Sequence, residues 1–137
     1  MRRSNGFSKR RKPTTILLSI KPKFAYAILE GRKGFEFRRR LFREETVERV
    51  VVYASSPVQR VVGEFELAAV HSLPLKMLWR RTQHHAGIQR PYFDRYFEDC
   101  EVGHALEVGS SVLYEDPVRL EDAVGLKRPP QSFCYVD

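Results

Sequence analysis

Cysteine is scarce in this sequence. Cys100 and Cys134 are the only two among 137 residues, and neither belongs to a Cys-x-x-Cys pair. That excludes a disulfide-stapled scaffold and a thiolate zinc site, and both are read as reduced thiols of a cytoplasmic protein. Histidine is little more common. His84 and His85 are neighbours, so on a helix they diverge by about 100° and do not readily share an ion. His71 and His104 lack ligand-spaced partners, so no metal is assigned. Cys100 has His104 four residues on but no base beside it, and it reads as a semi-buried thiol. Phosphate-loop and dinucleotide glycine patterns are missing, as is a Gly-x-Ser-x-Gly elbow, and no cofactor is expected. No apolar run approaches the roughly 20 residues of a membrane helix. Ile16-Leu17-Leu18 is cut short by Lys21 and is also too short for a secretory signal, so no membrane association is expected.

What the chain does have is positive charge in one place. Residues 1–43 hold 14 Lys/Arg against Glu30 and Glu36, a net +12, whereas the remainder is acidic enough to bring the total down to +7. A basic half on an acidic-leaning domain points to a polyanionic partner. Residues 1–13 carry Arg2, Arg3, Lys9, Arg10, Arg11 and Lys12 with no apolar period, and read as a flexible basic arm. With 42% hydrophobic residues, the remaining 14–137 can bury one core and form one domain.

Along that domain, Thr14–Ile20 predicts a buried strand. Pro22 suits the first turn of a helix, Phe24, Ala25, Ile28 and Leu29 repeat at helical spacing, and Gly31 is a C-cap. A strand follows on which Phe35, Phe37 and Arg39 face one way, and Glu36, Arg38 and Arg40 the other. Val47–Ala54 and Val58–Val70 predict a hairpin turned by Ser55-Ser56-Pro57, with a bulge at Gly63. The pattern changes at His71–Pro74. Leu75, Leu78, Trp79 and Thr82 share one helical face, which makes Trp79 a core residue. A second helix starts at Pro91 with Phe93, Tyr96 and Phe97 inward. Gly103–Val108 and Val112–Tyr114 predict two strands interrupted by Gly109-Ser110-Ser111. Pro117–Leu120 predicts an edge strand, and Ser132–Val136 a last one. The sum is an α+β fold: a small mixed β-barrel with flanking helices.

The polar residues at the strand and helix ends are the candidates for chemistry: Lys21, Lys33, Glu36, Arg38, Arg40, Tyr53 and Ser55. A Lys beside a Glu in a cleft has two uses. It binds a base edge or phosphate, with Lys donating and Glu accepting. Alternatively the Glu holds the Lys in an activated state for hydrolysis. A plain ion pair closing one end of the sheet is the structural alternative.

At these residues the chain resembles the ASCH domain family of the PUA-like superfamily. The resemblance rests on Leu18-Ser19-Ile20-Lys21-Pro22, on Phe24-Ala25 and Ile28-Leu29, and on the Gly-x-Lys-x-x-Glu-x-Arg run from Gly31 to Arg38. It continues through Val52-Tyr53-Ala54-Ser55-Ser56-Pro57-Val58, Val62-Gly63-Glu64-Phe65 and Pro129-Pro130-Gln131-Ser132-Phe133, and covers about residues 15–136. It implies a PUA-like barrel with a cleft beside the first helix, and RNA-binding members linked to transcription or translation. One branch hydrolyses acetylated cytidine with a Lys-Thr-Glu set, and other members are ribonucleases. Only the Lys, Lys33, matches that set here. Glu36 stands at the branch's Thr, and His84, His85 and Ala86 stand where its Glu lies.

Three functions follow. The first is a module for RNA or another nucleic acid, or for a nucleotide-like small ligand. In it Lys21, Lys33, Arg38 and Arg40 meet phosphate or base, Glu36 accepts hydrogen bonds, Ser55 lines the site, and Tyr53 either stacks on a base or is a core aromatic at its strand end. The second is a small hydrolase of RNA or a modified nucleoside, ribonuclease-like or amidohydrolase-like, with Lys33 and Glu36 catalytic. The third is a partner-binding regulatory domain that needs no nucleic acid.

Overall fold

The computed structural model describes residues 13–136, within which the chain forms six strands and four helices. The basic arm expected over residues 1–13 lies outside that range apart from Pro13. β1 (Thr14–Ile20) is a β-branched and aliphatic run. It does not alternate because both faces are buried. Ile16, Leu18 and Ile20 enter the main core, while Leu17 packs with Tyr53, Val61 and Leu120 on the other side.

Lys21-Pro22 stops β1, and Pro22 opens α1 (Pro22–Leu29), where its missing N–H costs nothing. Ala25, Ile28 and Leu29 bury against the sheet. Gly31 adopts a positive φ of 83° and ends the helix. The amides of Arg32 and Lys33 then both turn back to the Ala27 carbonyl, at 2.8 and 3.1 Å. This wrapped corner delivers Lys33 directly to β2 (Phe35–Arg38).

β3 (Val47–Ala54) and β4 (Arg60–Pro74) form the expected hairpin, whose register shifts beside Val62 and Gly63. α2 (Leu75–Thr82), a 3-10 turn (Gln83–His85) and α3 (Arg90–Tyr96) follow. Then come β5 (Val102–Val118), α4 (Leu120–Val124) and β6 (Phe133–Val136).

The strands form one sheet in the order β2-β5-β4-β3-β1-β6, with β1 and β3 parallel and the other pairs antiparallel. The main core lies between the sheet and α1. A second, aromatic core on β2 and β5 is built from Phe35, Phe37, Phe93 and Phe97 and covered by α2 and α3, with Trp79 packed against it.

Three expectations need correction. His71–Pro74 continues β4 rather than leaving it, because these residues pair with Val102–Ala105. Gly109-Ser110-Ser111 does not divide β5; the strand runs on through register shifts against β4. The edge strand expected over Pro117–Leu120 is instead the end of β5 and the start of α4, drawn in because Leu120 fills the small core around Leu17.

The sheet is not closed, so it is a barrel only in a loose sense. Side chains join its free edge β6 to β2 and to the segment that follows β2. Arg38 Nη2 donates to Ser132 Oγ at 2.5 Å. The Phe42 and Phe133 rings meet edge-on at 5.9 Å. Tyr135 Oη accepts from the amides of Arg43 and Glu44 at 3.2 and 3.1 Å.

Candidate functional site

The seam between β2 and β6 holds a cavity of about 240 Å³. Lys21, Lys33, Glu36, Arg38, Gln131 and Ser132 give it polar walls, and Phe24, Phe37, Tyr92 and Tyr96 give it aromatic ones. That is smaller than the roughly 300–1,000 Å³ of drug-sized sites. It suits one small polar group rather than a length of chain.

Lys33 is the central residue. Its side chain is 2% exposed. Nζ donates to the Ala86 carbonyl at 2.7 Å and lies 5.2 Å from the Phe24 ring centre and 4.7 Å from that of Phe37. An ammonium carries three donors. No other hydrogen bond to Lys33 Nζ is present among the described residues, so two donors remain for a ligand. Burial pulls its pKa down to about 8, against a smaller upward pull from Glu36.

A loop from the other side of the domain holds Lys33 in place. The Gly34 amide donates to the His85 carbonyl at 2.9 Å, and the His85 ring meets the Gly31 carbonyl at 3.2 Å. Gly87, at φ 71°, lies so close that a Cβ there would overlap the Lys33 stem. A Cβ at Gly34 would likewise overlap the His85 ring, so these two glycines let two loops meet across the lysine.

Glu36 is 6% exposed. Its Oε2 accepts from Arg38 Nη1 at 2.9 Å, and Oε1 has no hydrogen-bond donor among the described residues. Arg38 thus ties Glu36 on its own strand to Ser132 across the seam. Tyr96 Oη donates to the Phe37 carbonyl at 3.0 Å. Burial raises the Tyr96 phenol's pKa, Arg38 opposes that and Glu36 adds to it. Ser132 itself is held by β1, whose Ser19 amide donates to the Ser132 carbonyl at 3.0 Å.

Of the residues singled out from sequence, Lys21, Lys33, Glu36 and Arg38 meet at the cavity. Arg40 is exposed beyond the end of β2 and lines no part of it. Ser55 shapes the turn after β3, where its amide donates to the Ile20 carbonyl at 2.9 Å. Tyr53 is 5% exposed and belongs to the small core with Leu17, Val61 and Leu120. It is a packing residue here and presents no stacking face. The walls that sequence reasoning did not place are Phe24, Ile88, Tyr92, Gln131 and Ser132. The Pro129-Pro130-Gln131-Ser132-Phe133 motif pointed to the last two. Phe24 and Tyr92 carried only an aromatic signal, and they meet edge-on at 5.5 Å. Among the described residues no group of three or more His, Cys, Asp or Glu could hold a metal ion. Likewise no helix is long and apolar enough to cross a membrane.

An α+β sheet whose seam encloses a lysine and a carboxylate beside the first helix defines a PUA-like domain. The ASCH domain model matches residues 18–111, and the chain belongs to the ASCH domain family. It is 30% identical over 123 residues to an ASCH domain-containing ribonuclease of Zymomonas mobilis, covering 88% of this chain and 82% of that protein. The crystal structure of ASCH from Zymomonas mobilis superposes with a TM-score of 0.79 at 30% identity, over 90% of this chain and 87% of the other. A single-substitution variant of that protein superposes at 0.81 with 28% identity, over 90% and 88%. A relative named large ribosomal subunit protein uL22, from Ureaplasma parvum, is 29% identical over 122 residues. The match covers 89% of this chain but only 39% of that protein.

Proposed function

We propose that this chain binds RNA and that the cavity at the β2–β6 seam takes one nucleotide of the strand. The observation that carries this is Lys33: a buried ammonium at a cavity wall with two donors unused among the described residues, in a cavity also lined by Glu36, one of whose carboxylate oxygens has no donor among them. Buried polar groups without partners are costly, and a nucleotide supplies the missing acceptors and donor. Exposed Lys21 and Lys23 at the start of α1, and Arg95 beside Tyr92, hold the phosphates around the mouth. The cations of residues 1–13 add salt-sensitive affinity without sequence preference. A regulatory role in transcription or translation fits such a module. The kinship to a protein named as a ribonuclease supports an RNA partner.

A second reading, ribonuclease-like cleavage of RNA in the same cavity, is favoured by the Lys33 pKa of about 8. Near neutral pH such a lysine is present in both protonation states, so it can take or return a proton. The 2′-oxygen attacks the adjacent phosphorus while its proton leaves, the bond from phosphorus to the 5′-oxygen breaks, and that oxygen receives a proton. A 2′,3′-cyclic phosphate and a free 5′-hydroxyl result. Lys33 serves one of the two proton transfers, and Arg38 stabilises charge on the pentavalent phosphorus.

Fluorescence anisotropy across a salt series separates these readings. It uses the full chain, a chain without residues 1–13, and Lys33→Ala in both, followed by gel analysis of the recovered RNA. Affinity that survives removal of the arm and falls with Lys33→Ala supports binding in the cavity. Cleavage that disappears with Lys33→Ala adds the strand-cleaving step. Affinity that vanishes with the arm and ignores Lys33 sinks both.

A further inference from the structure

Resting on the RNA-binding reading, we infer that the groove along α3 is a second nucleotide subsite, in which the base adjoining the seated nucleotide lies between the Tyr92 ring and the Arg95 guanidinium. The groove measures about 310 Å³ and is lined by Tyr92, Arg95, Tyr96 and Glu98. Tyr92 and Tyr96 also line the seam cavity, so the two spaces adjoin across the same side chains. A strand with one nucleotide in the cavity therefore finds room for its neighbour a single step away.

The groove is fixed from behind. Tyr96 Oη donates to the Phe37 carbonyl, and Arg39 Nη1 donates to the carbonyls of Tyr96 and Glu98 at 2.8 and 3.0 Å. These bonds satisfy carbonyls that the end of α3 leaves open. Half-buried Tyr92 is held against Phe24 of α1, with ring centres 5.5 Å apart. Over the Tyr92 ring stands the exposed Arg95 guanidinium, 6.0 Å from its centre, at the outer limit of a cation–π contact. Planar groups stack about 3.5 Å apart, so a base between ring and guanidinium needs about 7 Å, and an outward swing of about 1 Å by Arg95 admits it. Unpaired RNA bases stack on aromatic rings and on guanidinium planes alike. Charge sets the orientation. Arg95 attracts the phosphate that links the two nucleotides, while Glu98 repels phosphate and leaves its end of the groove to base and sugar. Every base has a π face, so this subsite adds affinity without reading sequence. The smallest ligand that fills the whole site is a dinucleotide.

The test is competition at low salt, with unlabelled dinucleotides displacing a labelled RNA 12-mer from the full chain in fluorescence anisotropy. Uridine and adenosine series are run with 2′-fluoro sugars, so that no cleavage intervenes, and the tighter-binding series is read. Each dinucleotide is compared with its two abasic counterparts, which lack the base of the 5′ or of the 3′ nucleotide and keep the phosphate. The expected result is that both counterparts bind about tenfold or more weaker than the full dinucleotide, because one base fills the cavity and the other the groove. Tyr92→Leu and Arg95→Ala, checked for folding by circular dichroism, shrink the smaller of the two losses to about threefold or less. A counterpart of either order within threefold of the full dinucleotide would overturn the second subsite and leave the RNA reading standing. A full dinucleotide that fails to displace the 12-mer would do the same. Losses that neither variant changes would put the second base elsewhere and overturn the groove as its seat. Absence of 12-mer binding at low salt would remove the RNA reading and this inference with it.

Discussion

Two arginine–glutamate pairs in this domain use the same groups to different ends. On the outer side of the sheet, Arg49 of β3 pairs with Glu64 of β4, and Tyr114 Oη donates to the same carboxylate at 2.7 Å. At the seam, Arg38 pairs with Glu36 and reaches a hydroxyl, that of Ser132. The side chains of the outer pair are 54% and 24% exposed, and those of the seam pair 13% and 8%. Water screens the first and competes for it, so it contributes little. The second is held away from water with a lysine nearby, so each of its charges depends on the other. Burial, more than residue type, separates a screened surface contact from a pair held at a cavity wall.

The sharpest way to break this contrast is to remove each carboxylate. Glu36→Ala leaves Arg38 and Lys33 as uncompensated cations and is expected to cost about 3 kcal/mol in urea unfolding at pH 7. Equal losses from Glu36→Ala and Glu64→Ala would erase the distinction. The pH dependence of Lys33 comes next. Its folded pKa of about 8 lies below the ordinary 10.5, so between those values the unfolded chain binds more protons than the folded one. Stability therefore rises with pH across that window. Urea unfolding of the wild type relative to Lys33→Met should show a gain of up to about 3 kcal/mol from pH 8 to 10.5. A flat difference would mean that Lys33 is freely solvated. Gly87→Ala, which strains a residue at positive φ and displaces the Lys33 stem, is expected to cost about 2 kcal/mol. It should also weaken RNA binding in anisotropy. The smallest effect belongs to the outer pair, where Arg49→Ala should change stability by less than about 1 kcal/mol and RNA affinity not at all.

The sequence made one half of the seam legible. Pro22 and Gly31 bracket α1, and the Lys33–Arg38 run follows within a few residues, so local rules sufficed to place Lys21, Lys33, Glu36 and Arg38 together. The other half comes from distant segments. Ala86 lies 53 residues from Lys33, and Ser132 lies 94 from Arg38, separations that no periodicity spans. The choice between a stacking face and a core aromatic at Tyr53 stayed open for a related reason. Its strand-end position looks exposed until α4, too short to leave a helical signal of its own, places Leu120 against it. The unbroken β5 was hidden because Gly109-Ser110-Ser111 reads as a turn, and only pairing with β4 holds such residues in a strand.

The bridge from Arg38 to Ser132 has a kinetic consequence. The two edges it joins belong to the second and sixth strands in chain order, so the cavity exists only after nearly all the described chain has been brought together. Contacts between such remote segments are slow to form. Binding competence should therefore appear late in refolding, after the β3–β4 hairpin and α1 have docked. A ligand added at time zero would then report completion of the fold rather than its onset.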